Sequence, residues 1–380
     1  MALNLRLLQF NLPLIFKSTL RNNLSGTVYF RINRSIFTDK TIGMNNYEYI
    51  RSQMRQQFTN VEASFRTKMQ EIVNNEVSVV FTEDLKAMSH LVTDNADDLD
   101  LFVKMIYKFN SQNKELRFGN YVFGPVIMRA FNYVNRPDLA LSTFLDPNLT
   151  SFFNQSMSYT VLMTSLYNHK MYSEVRKVFD IYKKNSLNNE RFPRLPTIAT
   201  AAACYQENTP ESYNYLLQSW KELSEYNFPP LRKLITFLAA LALKQNSPEI
   251  TLELMSLIRA RHIHSRCLRI LAYSKLNRYN DVAYILKNSL EGNYKTQERY
   301  FSDVIQKLEE DLENNDDDIK PTLTKLISLL KVQEHIETET LESHLVRPIE
   351  FIYKRANLDQ QKDVFKKTQQ RRIIGLKDLI

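Results

Sequence analysis

A period of about 35 residues is the feature that most restricts what this chain can fold into. Phe144 and Phe179 stand 35 residues apart, as do Ala140 and Val175. Around them RPDLALSTF (136–144) superposes on MYSEVRKVF (171–179), and FGPVIMRAFNYV (123–134) superposes on SYTVLMTSLYNH (158–169). The central copy, residues 157–184, reads as two short amphipathic helices. Tyr159, Leu162, Met163, Leu166 and Tyr167 recur at steps of three and four, as do Val175, Val178, Phe179 and Tyr182, so each set shares one helical face. Ser173 and Glu174 supply an expected N-cap and a first-turn acid. Helices this short do not persist alone in water, and each carries a stripe that neighbours must cover.

Those neighbours are written in the punctuation. Pro193 and Pro196 break the chain, and Pro229-Pro230 break it again one period later. Thr209-Pro210-Glu211 and Ser247-Pro248-Glu249 are two copies of one helix start: a hydroxyl N-cap, proline at the first helical position, then an acid. A further helix pair is readable over 265–286, and a weaker one over 82–109. A period between about 20 and 50 residues means a stacked array. The expected fold is an all-α helix-turn-helix solenoid of five to seven pairs. Expected divisions are a leader over 1–40, a charged helical cap over 45–80, repeats over 82–293, a helix pair with an acidic loop over 294–346, and a basic tail over 347–380.

Charge is concentrated at the two ends. The whole chain carries +8; residues 1–38 hold five bases and no acid, and residues 353–377 hold eight bases and two acids. The remaining body is slightly acidic, so the basic total says nothing about the repeat surface as a whole. The acid-free, arginine-bearing, hydroxyl-containing N-terminus has the make-up of a mitochondrial transit peptide. A secretory signal would have only Leu12-Pro13-Leu14-Ile15-Phe16 as its apolar core. Cys204 and Cys267 lie 63 residues apart, which is neither a disulfide framework nor a zinc spacing. No run approaches the ~18 apolar residues of a membrane span.

No catalytic constellation is present: there is no GxGxxG, P-loop, GxSxG or HExxH. Asp316-Asp317-Asp318 are adjacent in a polar stretch, the pattern of a solvated loop, whereas a magnesium site draws carboxylates from separate elements. His262 and His264, two apart, diverge on a helix. No metal and no cofactor is expected. Lys366-Lys367 and Arg371-Arg372 offer phosphate contacts in the tail. A groove-facing row in the central repeat runs Thr160, Thr164, Tyr167, and in the preceding repeat Pro125, Arg129, Asn132. Short polar side chains with scattered bases suit an extended polymer, either single-stranded RNA or a peptide.

Ser158-Tyr159-Thr160 followed by Leu162-Met163, then Ser173-Glu174-Val175 to Phe179, resembles the pentatricopeptide repeat. The tetratricopeptide alternative needs Trp and Gly at set positions, and one Trp with six Gly do not supply them. Segments 83–88, 123–131, 240–249 and 291–293 resemble animal members of the family. That resemblance implies a mitochondrial matrix protein that binds single-stranded RNA without catalysis and supports transcript maturation, with RNA-processing enzymes as further partners. The runner-up is a protein-binding adaptor. By the same resemblance, base choice falls to Thr160 with Arg194 and to Pro125 with Gln155. Only Thr160 fits the family's pattern, so the base-by-base code does not carry over. Arg129, Arg194, Arg232, Lys233 and Arg266 are the candidate phosphate or stacking contacts.

Overall fold

The computed structural model describes residues 35–112, 121–185, 191–226, 231–258, 262–291, 298–313 and 318–350. The chain enters through α1 (Asp39–Ile42), α2 (Met44–Phe58) and α3 (Glu62–Asn74). Seven helix pairs follow among the described residues. They are α4 (Thr82–Leu91) with α5 (Ala96–Ser111), α6 (Gly124–Tyr133) with α7 (Pro137–Leu145), and α8 (Ser156–Asn168) with α9 (Tyr172–Asn185). Then come α10 (Arg194–Glu207) with α11 (Pro210–Glu225), α12 (Arg232–Lys244) with α13 (Pro248–Ser256), α14 (Ile263–Lys275) with α15 (Tyr279–Glu291), and α16 (Ser302–Glu313) with α17 (Lys320–Val332). A five-residue α18 (Leu341–Leu345) closes the described part. Among the described residues strand is confined to two parallel two-residue pieces, β1 (Tyr300–Phe301) and β2 (Ile336–Glu337). This is the all-α helical-repeat solenoid that the period predicts.

The first helices of successive pairs stack on one another, α4 on α6, α6 on α8, and so on to α16. The second helices run back beside them. At the junction within five pairs the chain takes a left-handed residue: Asn135, Lys170, Asn208, Asn246 and Asn277, with φ between 51° and 61°. Asparagine tolerates this conformation better than other side-chain-bearing residues, which is why four of the five are Asn. These turns are also tied to each other. His169 Nε2 lies 2.9 Å from Asn135 Oδ1, Gln245 Nε2 donates to Asn208 Oδ1 at 2.9 Å, and Lys275 Nζ donates to Asn246 Oδ1 at 2.8 Å. Three of the four steps between these turns are thus hydrogen-bonded along the turn edge.

Two expected caps differ from the structure. Thr209 caps α11 as predicted, its hydroxyl accepting from Ser212 N at 3.1 Å. Ser247 makes no cap bond to α13, and Ser173 lies inside α9, where its hydroxyl donates to Glu174 at 2.7 Å. Pro248 needs no partner at the first helical position, so α13 starts without help from Ser247.

The segments before and after the array lie across the first helices. α1 packs on α8, α2 on α4 and α6, and α18 on α14. Arg51 of α2 anchors this arrangement by donating to His90 O at 2.5 Å and Val92 O at 2.7 Å, the open carbonyls at the end of α4. The two segments clasp each other. Phe37 pairs with Ile349 in a parallel bridge, Ile349 N donates to Ile36 O at 2.9 Å, and Thr38 N donates to Ile349 O at 3.2 Å. Lys40 and Glu350 add an ion pair at 2.6 Å. Ile36 and Phe37 are 0% exposed. Residues 36–40, the end of the stretch expected as a leader, take part in this clasp and in α1.

Candidate nucleic-acid interface

The first helices of the central pairs are buried on every side. Ten successive residues of α8 (Ser158–Tyr167), eleven of α10 (Leu195–Tyr205) and ten of α12 (Leu234–Leu243) have almost no solvent contact. An amphipathic helix buries one face; these bury the opposite face too. The residues expected to line an open groove accordingly do other things here.

Thr160 is 1% exposed, and its hydroxyl donates to Ser156 O one turn back at 2.9 Å. Thr164 repeats that bond to Thr160 O at 2.7 Å, and Tyr167 is buried. Arg129 points at the N-terminal segment, where its Nε donates to Ile42 O at 2.7 Å; burial lowers its pKa. Arg266 is 5% exposed and pairs with Glu298 at 3.1 Å, while its other terminal nitrogen donates to Arg299 O at 3.0 Å. Its guanidinium also lies over the Tyr300 ring, 5.5 Å from the centroid. Lys233 reaches Leu345 O at 3.4 Å and is partly buried. Arg194 and Arg232 are exposed, each the first residue of its helix, α10 and α12. Four of the six candidates thus contact the chain's own backbone, and two face solvent.

The structure does bring some of these bases together, at the starts of α12 and α14. Arg232 Nη1 lies 3.0 Å from His262 Nε2. The rings of His262 and His264 stack at 5.5 Å, and those of His264 and His344 at 6.1 Å. Sequence spacing set His262 and His264 apart as diverging helical positions. His262 instead precedes α14 in extended conformation, so the two rings turn to the same side. Burial, then the surrounding His262, His344, Lys233 and Arg232, pushes the His264 pKa down to about 3. Burial, then Arg232 and Arg347, lowers that of Lys233.

A charge rule runs through the five central pairs. Each second helix opens with an acid in its first turn: Asp138, Glu174, Glu211, Glu249 and Asp281. None of the partner first helices α6, α8, α10, α12 and α14 does. Second helices neutralise the positive end of their dipole, and first helices leave it uncompensated.

Among the described residues no group of His, Cys, Asp and Glu converges as a metal site; Asp316 and Asp317 fall outside them. Cys204 and Cys267 are buried, and burial pushes both thiols up to about 12, far from a reactive thiolate. No helix among the described residues is long and apolar enough to cross a membrane. The expected basic tail contacts, Lys366, Lys367, Arg371 and Arg372, also lie outside the described residues.

No family model matches the chain, and no solved structure matches it. Curated relatives do. A mouse (Mus musculus) protein is 26% identical over 287 residues, covering 74% of each chain. A human (Homo sapiens) one is 27% identical over 233 residues, 61% of this chain and 58% of its own. A zebrafish (Danio rerio) one is 30% identical over 185 residues, 47% of each. All three carry one name: pentatricopeptide repeat-containing protein 2, mitochondrial.

Proposed function

We propose that this chain, a relative of the mitochondrial pentatricopeptide repeat-containing protein 2 of animals, is a mitochondrial helical-repeat protein that binds single-stranded RNA without catalysis. It acts in the matrix and supports the maturation of transcripts, alongside the RNA-processing enzymes that cut them. The observation that carries this reading is the similarity, spread over 74% of both chains, to a protein named for the pentatricopeptide repeat, the repeat that residues 158–179 resemble. The uncompensated starts of the first helices, with Arg194 and Arg232 exposed among them, are compatible with a polyanion.

Crosslinking of RNA to the tagged protein inside mitochondria, followed by sequencing, tests it. Reads concentrated at one or a few transcript junctions are expected. Recovery no greater than from an untagged control would remove the RNA reading.

One observation favours a second reading, a protein-binding adaptor. The chain's own terminal segments lie on the first helices α4, α6, α8 and α14, and the Thr160 hydroxyl is engaged within its helix. Under that reading the same purification yields proteins in fixed proportion and no RNA.

A further inference from the structure

We infer that phosphate groups of the bound RNA strand sit at the edge of the array where α12 and α14 begin, between Arg232, Lys233, His262, His264, His344 and Arg347. This rests on the RNA reading above and assigns it a place.

Six cationic or cation-forming side chains meet there from three parts of the chain. Arg232 and Lys233 open α12, His262 and His264 flank the start of α14, and His344 and Arg347 come from α18 and the residue pair after it. Arg232 touches His262 at 3.0 Å, and the three imidazoles form one stack. Among the described residues the acid in contact with the cluster is Glu339, which accepts from Arg347 at 2.8 Å and lies 3.4 Å from His344 Nδ1. One carboxylate does not balance Arg232, Lys233 and Arg347.

The backbone adds to the same field. Two adjacent helices present their N-termini here, neither with an acid in its first turn. Placing Arg and Lys at a helix start is unfavourable by a few tenths of a kcal/mol each unless an anion answers them. The buried Nε2 of His264 has no hydrogen-bond partner in the structure. An unpaired imidazole nitrogen beside clustered cations is a group that RNA satisfies: as N–H it donates to a phosphate oxygen, and unprotonated it accepts from a ribose hydroxyl.

Other places were weaker. Arg51 is buried without a carboxylate, but the carbonyls at the end of α4 account for it. The 460 Å³ pocket between α12, α14 and α16 carries Lys244, Lys275 and Lys307 against Asp303, Asp311 and Glu342, so its charges cancel. Among the described residues, the edge at α12 and α14 is where positive charge gathers against one carboxylate, Glu339. Arg194, at the start of α10, extends it by one repeat, since α10 packs against α12.

The test measures binding of a labelled single-stranded RNA to the full chain across a salt series. Arg232→Ala and Arg347→Ala, both at exposed positions, should each weaken binding and reduce the salt slope by about 0.7. Glu339→Gln should tighten binding about two- to fivefold, a gain that misfolding cannot imitate. Arg278→Ala, in the turn before α15, should change nothing. RNA binding with all four variants equal to the parent overturns the site and leaves the RNA reading standing. If the parent binds no RNA, inorganic phosphate is titrated against the ring signals of His262, His264 and His344. Saturable shifts would then keep an anion site while overturning its RNA occupant, and unshifted signals would overturn both.

Discussion

The first and second helices of each pair are built from one repeat and meet different surroundings. α9 buries Val175, Arg176, Val178, Phe179 and Tyr182 on one side and leaves Lys177 and Lys184 in water. α8, its partner, is buried through ten successive residues. The difference does not come from hydrophobicity alone, since α8 buries Ser158, Thr160, Thr164 and Ser165 as readily as its leucines. It comes from position. A second helix has neighbours on one side, whereas a first helix has its partner, the first helices before and after it and, at α4, α6, α8, α12 and α14, contacts from the chain's terminal segments as well. In this array the same structural unit makes a wall or a core according to what is laid over it.

Removing the cover is the strongest way to break that comparison. Phe37→Ala strips the larger of the two fully buried side chains of the clasp and should cost about 3–5 kcal/mol, read as a lowered urea midpoint. A loss under about 1 kcal/mol would mean that the clasp is not docked in solution. A smaller effect of opposite sign tests the turn that joins the two kinds of helix. Lys170 holds φ 61° where the equivalent turns have Asn. Lys170→Asn should raise stability by about 0.5–1 kcal/mol, seen as a higher melting temperature; a lower one would show that the lysine serves another purpose there. The smallest change sharpens the comparison at a candidate residue. Thr160→Val removes a hydroxyl that serves only its own helix, so stability should move by less than about 1 kcal/mol and RNA affinity should stay put. Affinity that drops while the melting curve is unchanged would mean that α8 opens to a ligand after all.

The repeat was legible because it is local. Pro137-Asp138, Thr209-Pro210-Glu211 and Ser247-Pro248-Glu249 mark second-helix starts within three residues, and α7, α11 and α13 begin at those prolines. The left-handed turns left a readable sign that periodicity of apolar residues did not include: Asn135, Asn208, Asn246 and Asn277 recur at the same point of their pairs. The cover was not legible. Nothing in Ser35-Ile36-Phe37 announces Ile349, because a contact between residues more than 300 positions apart has no short-range pattern. For the same reason Arg129 and Lys233 read as groove bases. Basic residues on first helices are suited to oxygen acceptors, and sequence does not say that the acceptors are the carbonyls of Ile42 and Leu345. The cluster of Arg232 with the histidines was half visible. The bases were readable, but their meeting depends on His344 and Arg347 arriving from the far end of the chain.

The clasp also sets an order of events. An array whose units touch only their neighbours can fold piecewise as it lengthens, each new pair settling on the last. The ion pair between Lys40 and Glu350 instead closes a span of 310 residues, and such a closure is slow because the ends must find each other before any contact rewards them. α1 and α2 can lie on α4, α6 and α8 early, yet Ile36 and Phe37 have no partner strand until Ile349 arrives. For a chain threaded into a compartment N-terminus first, completion therefore waits for Ile349 and Glu350 to emerge. Until then the apolar edge at Ile36 and Phe37 stays open to whatever holds unfinished chains.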